Sequence, residues 1–238
     1  MGKMMRGLGE DVTLAFGSTS VHLLPERALW LPDHHTLVVA DLHFGKVNHF
    51  RRAGLPVPLG ANIKNAEQLI DLLNLCQPQH TYFLGDLFHS VYNDDWEAVG
   101  QIVRHFRGCR FTLIRGNHDI LSEQQYVRHG IDVQEQAVVG DLLLTHEPLS
   151  RELIPLNQVN VSGHVHPAAR LLGKGRQSLT LPCFWRSSNQ LIVPAFGAFT
   201  GLAAVYPQGD DILYTIVDKR IMELRPPGEN SGSQPVAS

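Results

Sequence analysis

Three observations predict an α/β fold built in layers. Strand-like and helix-like segments alternate up to Gly163, the pattern beyond it is mostly β, and five apolar runs each end in a polar cluster. One layer should hold a largely parallel sheet and the next a second, mixed sheet. Short apolar runs at 12–16, 21–24 and 28–31, broken by Gly17-Ser18, Pro25 and Pro32, suit an opening β-meander. Thr36, Leu37, Val38, Val39 and Ala40 form a continuous β-rich run, the signature of a strand buried on both faces. Ile63, Ala66, Ile70 and Leu73 recur at helical spacing and predict a helix over 62–75. Residues 81–84 read as the next buried strand. Asp94 and Glu97 form a capping box, opening a helix that buries Trp96, Val99, Val103 and Phe106.

A strand over 110–114 and a short helix over 122–129 follow. The runs 131–139 and 142–145 predict a hairpin turned at Gly140-Asp141. After Gly163, strands are expected at 168–172, 178–184, 191–193, 202–206, 212–217 and 221–224. Trp30, Phe83, Trp96 and Phe106 fall in these periodicities and belong to the core. No shift of composition marks an internal boundary, so a single domain is expected over 11–225. The polar Pro/Gly/Ser tail at 226–238 buries too little apolar surface to offset the entropy of ordering, and is expected to be disordered.

The chain has 238 residues and a formal charge of −3, which argues against a polybasic mode of nucleic-acid binding but leaves room for a local basic groove. Cys76, Cys109 and Cys183 form no Cys-x-x-Cys pair and predict reduced thiols in a cytoplasmic setting. No run approaches the ~18 apolar residues of a membrane span. Thirteen histidines are the compositional figure that points to chemistry.

Many of these histidines lie where the buried strands end. Ala40 leads into Asp41-Leu42-His43, and Leu84 into Gly85-Asp86-Leu87-Phe88-His89. Ile114 runs into Arg115-Gly116-Asn117-His118-Asp119, Leu144 into Thr145-His146-Glu147-Pro148, and Val161 into Ser162-Gly163-His164-Val165-His166. The carboxyl ends of strands in an open α/β sheet share one edge, where ligands bind. Asp, Asn and His without thiolate suit Mn²⁺, Fe²⁺ or Zn²⁺ in a two-metal site. Two such ions about 3.5–4 Å apart lower the pKa of a bound water and neutralise a phosphate together. Lys46, Arg51 and Arg52 are candidates for a phosphate-binding rim, and Arg115 and His89 for substrate contact. Phe44, Phe50 and the Phe184-Trp185-Arg186 run are read as loop residues that could stack unpaired bases.

Asp-x-His, Gly-Asp, Gly-Asn-His-Asp, a lone His and Gly-His-x-His, in that order, resemble the calcineurin-like metallophosphoesterase superfamily. The resemblance implies a sandwich of two mixed β-sheets flanked by helices. It implies that Asp41, His43 and His166 hold one metal and Asn117, His146 and His164 the other, with Asp86 bridging. His118 matches the histidine that protonates the leaving oxygen, with Asp119 accepting its other ring proton. Ala40-Asp41-Leu42-His43-Phe44-Gly45-Lys46, the stretch from Arg51 to Pro58 and Thr145-His146-Glu147-Pro148 resemble the bacterial DNA-ligase-associated metallophosphoesterases. That subfamily implies a Mn²⁺-dependent DNA endonuclease of DNA repair, acting on DNA that includes single strands, beside a helicase and an ATP-dependent ligase. The β-rich C-terminal third offers strand edges for a homodimer. The alternatives are a phosphodiesterase or pyrophosphohydrolase of a nucleotide or other small molecule, and a non-catalytic interaction scaffold. The full ligand set speaks against the scaffold.

Overall fold

The computed structural model describes residues 12–44, 60–88, 94–172, 177–198 and 200–226. Its first sheet has seven strands in sequence order: β1 Val12–Phe16, β2 Thr19–Leu24, β3 Ala28–Leu31, β4 Thr36–Ala40, β5 His80–Leu84, β6 Arg110–Ile114 and β7 Ile131–Gln134. The strands from β1 to β4 pair antiparallel, which is the meander, and those from β4 to β7 pair parallel. Parallel neighbours need crossovers, and helices supply them: α1 Gly60–Cys76, α2 Asp94–His105 and α3 Glu123–Arg128. Gln77 takes a left-handed conformation and Pro78 follows it, which ends α1. The capping box expected from Asp94 falls on a side chain outside the described residues.

Side chains of the central strands alternate between two cores, as the period of two requires. Leu37, Val39, Phe83, Phe111 and Leu113 meet Leu69, Leu72, Leu73, Trp96, Val99 and Tyr126 from the three helices. Val38, Ala40, Leu84 and Ile114 point the other way, onto Leu142, Leu144, Val161, Phe184 and Leu191 of the second sheet.

The second sheet is mixed and holds nine strands among the described residues. These are β8 Ala137–Val139, β9 Leu142–Leu144, β10 Val159–Ser162, β11 Pro167–Leu172, β12 Ser178–Ser187, β13 Gln190–Ile192, β14 Ala203–Ala204, β15 Ile212–Val217 and β16 Arg220–Leu224. Strand β10 lies between β9 and β13, parallel to both, and the remaining pairs are antiparallel except β11 with β14.

The described helices all pack on the outer face of the first sheet, flanking the sandwich as expected. Four expectations change. The run 131–139 is two strands in different sheets, because β7 joins β6 while β8 turns at Gly140-Asp141 to join β9. The strand expected at 202–206 shortens to two exposed residues. Phe184, Trp185 and Arg186 lie inside β12, paired with β15, and Phe184 is fully buried. Phe44 is also buried, packed beside Phe88. Burial in a core leaves neither Phe44 nor Phe184 a face for a base. Of the tail expected at 226–238, only Pro226 is among the described residues.

Candidate metal centre

The carboxyl ends of β4, β5 and β6 meet those of β9 and β10 at one edge of the sandwich. There the structure brings Asp41, His43 and His166 into one cluster and Asp86, His146 and His164 into a second. Within each, the donor atoms lie within 4.8 Å of one another. Asp41 and Asp86 are buried, at 0% and 3% exposure. Asp86 stands between the clusters: Oδ2 is 3.8 Å from His43 Nε2 and Oδ1 is 3.6 Å from His146 Nε2. Asp41 Oδ1 is 3.6 Å from His166 Nε2 and 4.0 Å from His146 Nδ1.

The backbone at this edge is unusual. Asp41, His43, Asp86, His164 and His166 all have positive φ, between 48° and 65°. That region is uncommon for residues other than glycine, and such conformations gather at functional sites. The loops are interlocked across the sheets. His43 N donates to Asp86 O (2.9 Å), His164 N to Asp41 Oδ2 (2.8 Å) and His118 N to Asp86 Oδ1 (3.0 Å). Two glycines allow the close approach. A Cβ on Gly85, whose φ is +70°, would run into the His146 ring, and one on Gly163 into the Asp41 carboxylate.

The tautomers follow from the partners. His146 Nδ1 lies 3.1 Å from Leu84 O and His166 Nδ1 lies 3.1 Å from Gly201 O. A carbonyl only accepts, so these nitrogens carry the protons and the two Nε2 atoms present lone pairs inward. His166 Nε2 and Asp41 Oδ1 are buried without a hydrogen-bond partner. Buried polar atoms left this way are costly, and a divalent cation coordinated by both would satisfy them. The donor chemistry and the orphaned atoms therefore fit a metal.

Asn117 and His118 are exposed at the rim, on the loop after β6. The His118 ring packs edge-on to His43, with centroids 5.9 Å apart. Asn117 Nδ2 donates to Glu147 Oε1 at 2.6 Å. Asp119 is buried beneath this turn. Its oxygens accept from Gly116 N (2.9 Å), Leu87 N (3.1 Å) and Tyr126 Oη (3.4 Å), so it braces the loop that carries His118. Burial, helped by the nearby Asp86 charge and opposed by the Gly116 N–H, pushes its carboxyl up to about 6. Arg115 turns Nη1 to Asp119 O and Leu121 O, and its Nε lies 3.5 Å from Glu135 Oε1. These contacts give Arg115 a part in holding the 119–121 loop. Lys46, His89, Arg51 and Arg52, like Phe50, lie outside the described residues.

Two buried amides escaped the sequence reading. Asn160 on β10 is fully buried. It accepts from Leu149 N (2.9 Å) and donates to Leu143 O (3.1 Å) and Thr145 Oγ1 (2.8 Å). Asn65 on α1 reaches Leu42 O (3.4 Å) and accepts from Ala198 N (3.1 Å), tying the loop after β4 to the 196–198 segment. Neither belongs to a polar cluster at a strand end. The signal available was an amide at a core position, Asn160 between Val159 and Val161.

Carboxylate and imidazole donors gathered at one edge of two packed mixed sheets form a candidate site for divalent metals. The model of the calcineurin-like phosphoesterase family matches residues 34–172, more than half of the chain, and the chain belongs to that family. Among solved structures, Pseudomonas putida nuclease MPE is similar to it, with a TM-score of 0.75 and 26% identity over 90% of this chain and 100% of that one. The E. coli phosphoesterase Yfce is 17% identical with a TM-score of 0.44, over 79% of this chain and 97% of that one. No curated protein matches the sequence.

Proposed function

We propose that this calcineurin-like phosphoesterase is a binuclear, Mn²⁺-dependent phosphodiesterase that acts as a DNA endonuclease. The observation that carries the reading is Asp86, whose two carboxylate oxygens face the two donor clusters. Similarity to a nuclease over nine-tenths of the chain favours DNA over a small phosphoester. In this reading Asp41, His43 and His166 would hold one cation and Asn117, His146 and His164 the other, with Asp86, which faces both clusters, available to each. All of these donors are oxygen or nitrogen, a set that suits Mn²⁺, Fe²⁺ or Zn²⁺, and Mn²⁺ is the choice among them that the resemblance to the ligase-associated subfamily implies. When bound, the pair of ions supplies Lewis-acid stabilisation of the phosphate oxygens and an activated water.

The chain's own residues do the rest. The buried Asp41 and Asp86 supply the negative charge that holds cations in place. His118, at the rim beside His43, gives a proton to the departing oxygen. Asp119 keeps the His118 turn in place through the backbone. The exposed position of Asn117 and His118 suits a long polymer lying across the edge. A cytoplasmic setting, a single domain over 11–225, a homodimer, and a place in DNA repair beside a helicase and an ATP-dependent ligase belong to the same proposal. No described helix is long and apolar enough to cross a membrane.

Nicking of covalently closed plasmid in Mn²⁺ tests it. Wild-type protein is expected to open circles, and a small-ester enzyme would leave them intact. His118→Ala should lower turnover by about 10²–10⁴-fold, the range of a general acid, while keeping wild-type metal content. Loss of metal in that variant would make His118 a structural residue.

A further inference from the structure

Glu147 sits next to His146, outside both donor clusters. Its contacts nevertheless run to two residues of the second site. Oε1 accepts from Asn117 Nδ2 at 2.6 Å, a short charge-assisted bond, and lies 3.9 Å from His164 Nε2. We infer that Glu147 is the positioning residue of the second cation site, orienting the Asn117 amide and the His164 ring from outside. The inference rests on the reading that the clusters hold cations.

The amide argument is one of inventory. With Nδ2 committed to the carboxylate, the carbonyl oxygen is the atom Asn117 can offer a cation, and an amide nitrogen is no ligand. For His164, Nδ1 is turned inward, 3.1 Å from His146 Nε2, and Nε2 faces outward to Glu147. A carboxylate on the outer nitrogen of a ligating imidazole fixes the tautomer and raises the basicity of the inner one. With Nδ1 given to a cation the proton would sit on Nε2, which faces Glu147 Oε1 at 3.9 Å, a gap that a small shift of these two exposed side chains would close to a hydrogen bond.

Glu147 is well placed to impose orientation because its own backbone is pinned. Its carbonyl accepts from Thr145 Oγ1 at 2.7 Å, and that hydroxyl in turn accepts from the buried Asn160 Nδ2 at 2.8 Å. Pro148 then fixes the chain beyond it. A surface carboxylate is thus anchored through two hydrogen bonds to the core of the second sheet.

Calorimetric titration of metal-free protein with Mn²⁺ tests the assignment, with thermal melts in chelator beside it. Wild type should take up two ions. Glu147→Ala should keep one binding step unchanged and weaken the other by about 10–100-fold, as loss of an outer carboxylate does. Glu147→Gln, which retains an acceptor for the Asn117 amide, should lose less. The Glu147 side chain is 54% exposed, so the melting temperature without metal should match wild type in both variants. Two ions in wild type with Glu147→Ala unchanged at both steps overturns the assignment alone. Fewer than two ions in wild type overturns it together with the two-cation reading.

Discussion

The two sheets feed the metal centre differently. The first delivers the carboxylates, Asp41 and Asp86, at the ends of β4 and β5, both buried, together with the single imidazole of His43. The second delivers imidazoles, His146, His164 and His166, and His164 reaches the surface. The supports differ as well. Each first-sheet carboxylate accepts a backbone N–H from another loop, whereas the His146 turn hangs on the side chain of Asn160. Two buried carboxylates that both face the His146 ring are cut off from solvent, an arrangement that a divalent cation would satisfy. The second sheet turns its imidazoles toward the same space.

If charge and aim are divided this way, variants from the two sheets should fail differently. The largest effect is expected from the first. Asp86→Asn, which keeps the shape and removes the charge shared by both clusters, should lose both ions. Its activity should fall by at least the roughly 10²–10³-fold that one electrostatic stabiliser is worth. His166→Ala, from the second sheet, should lose one ion and keep the other, as read by metal content after gel filtration. Equal loss in the two variants would break the contrast.

The next effect is on stability. An ion that binds the folded chain at 100 times its Kd adds about 2.7 kcal/mol. For a chain of this size that raises the melting temperature by roughly 5–10 °C. Mn²⁺ should therefore raise the melting temperature and chelation should reverse the rise. Asp86→Asn should show neither change, because it lacks the charge that recruits the ions. A smaller and purely structural effect is expected at Asn160. Asn160→Ala leaves Leu149 N–H without its side-chain acceptor and Thr145 Oγ1 without its donor, and should cost about 1–3 kcal/mol for a stranded polar group. Denaturant unfolding of metal-free protein reads this directly. A cost that appears only with metal bound would place Asn160 in the site and not in its support.

The first sheet was the more legible of the two in sequence. Continuous apolar runs announced β4, β5 and β6, and their polar ends named the residues that converge. Helix α1 runs Gly60–Cys76 against an expected 62–75, because Ile63, Ala66, Ile70 and Leu73 repeat at the helical period. The second sheet was harder to read. The alternation of β7 breaks at Gln134, Glu135 and Gln136, three polar residues in a row that the single run expected over 131–139 passed through, and there the chain changes sheets. The run at 178–184 continues to Ser187 because Trp185 and Arg186 pair with β13 across a tight turn and with the more distant β15. The candidate site residues could be named from order and type. Their geometry could not: Asp and His adopt positive φ more readily than most residues, but that preference does not say where the chain will use it, and the contacts between loops are not written in local sequence. Asn65 and Asn160 were missed for the same reason: an amide becomes a brace only through partners the fold brings to it.

Anomalous diffraction from crystals soaked in Mn²⁺ tests the central claim most directly. Two peaks about 3.5–4 Å apart are predicted. One should lie within bonding distance of Asp41, His43 and His166, the other of Asn117, His146 and His164, with Asp86 reaching both. A single peak away from Asp86, or no ordered ion at this edge of the sandwich, would contradict the account.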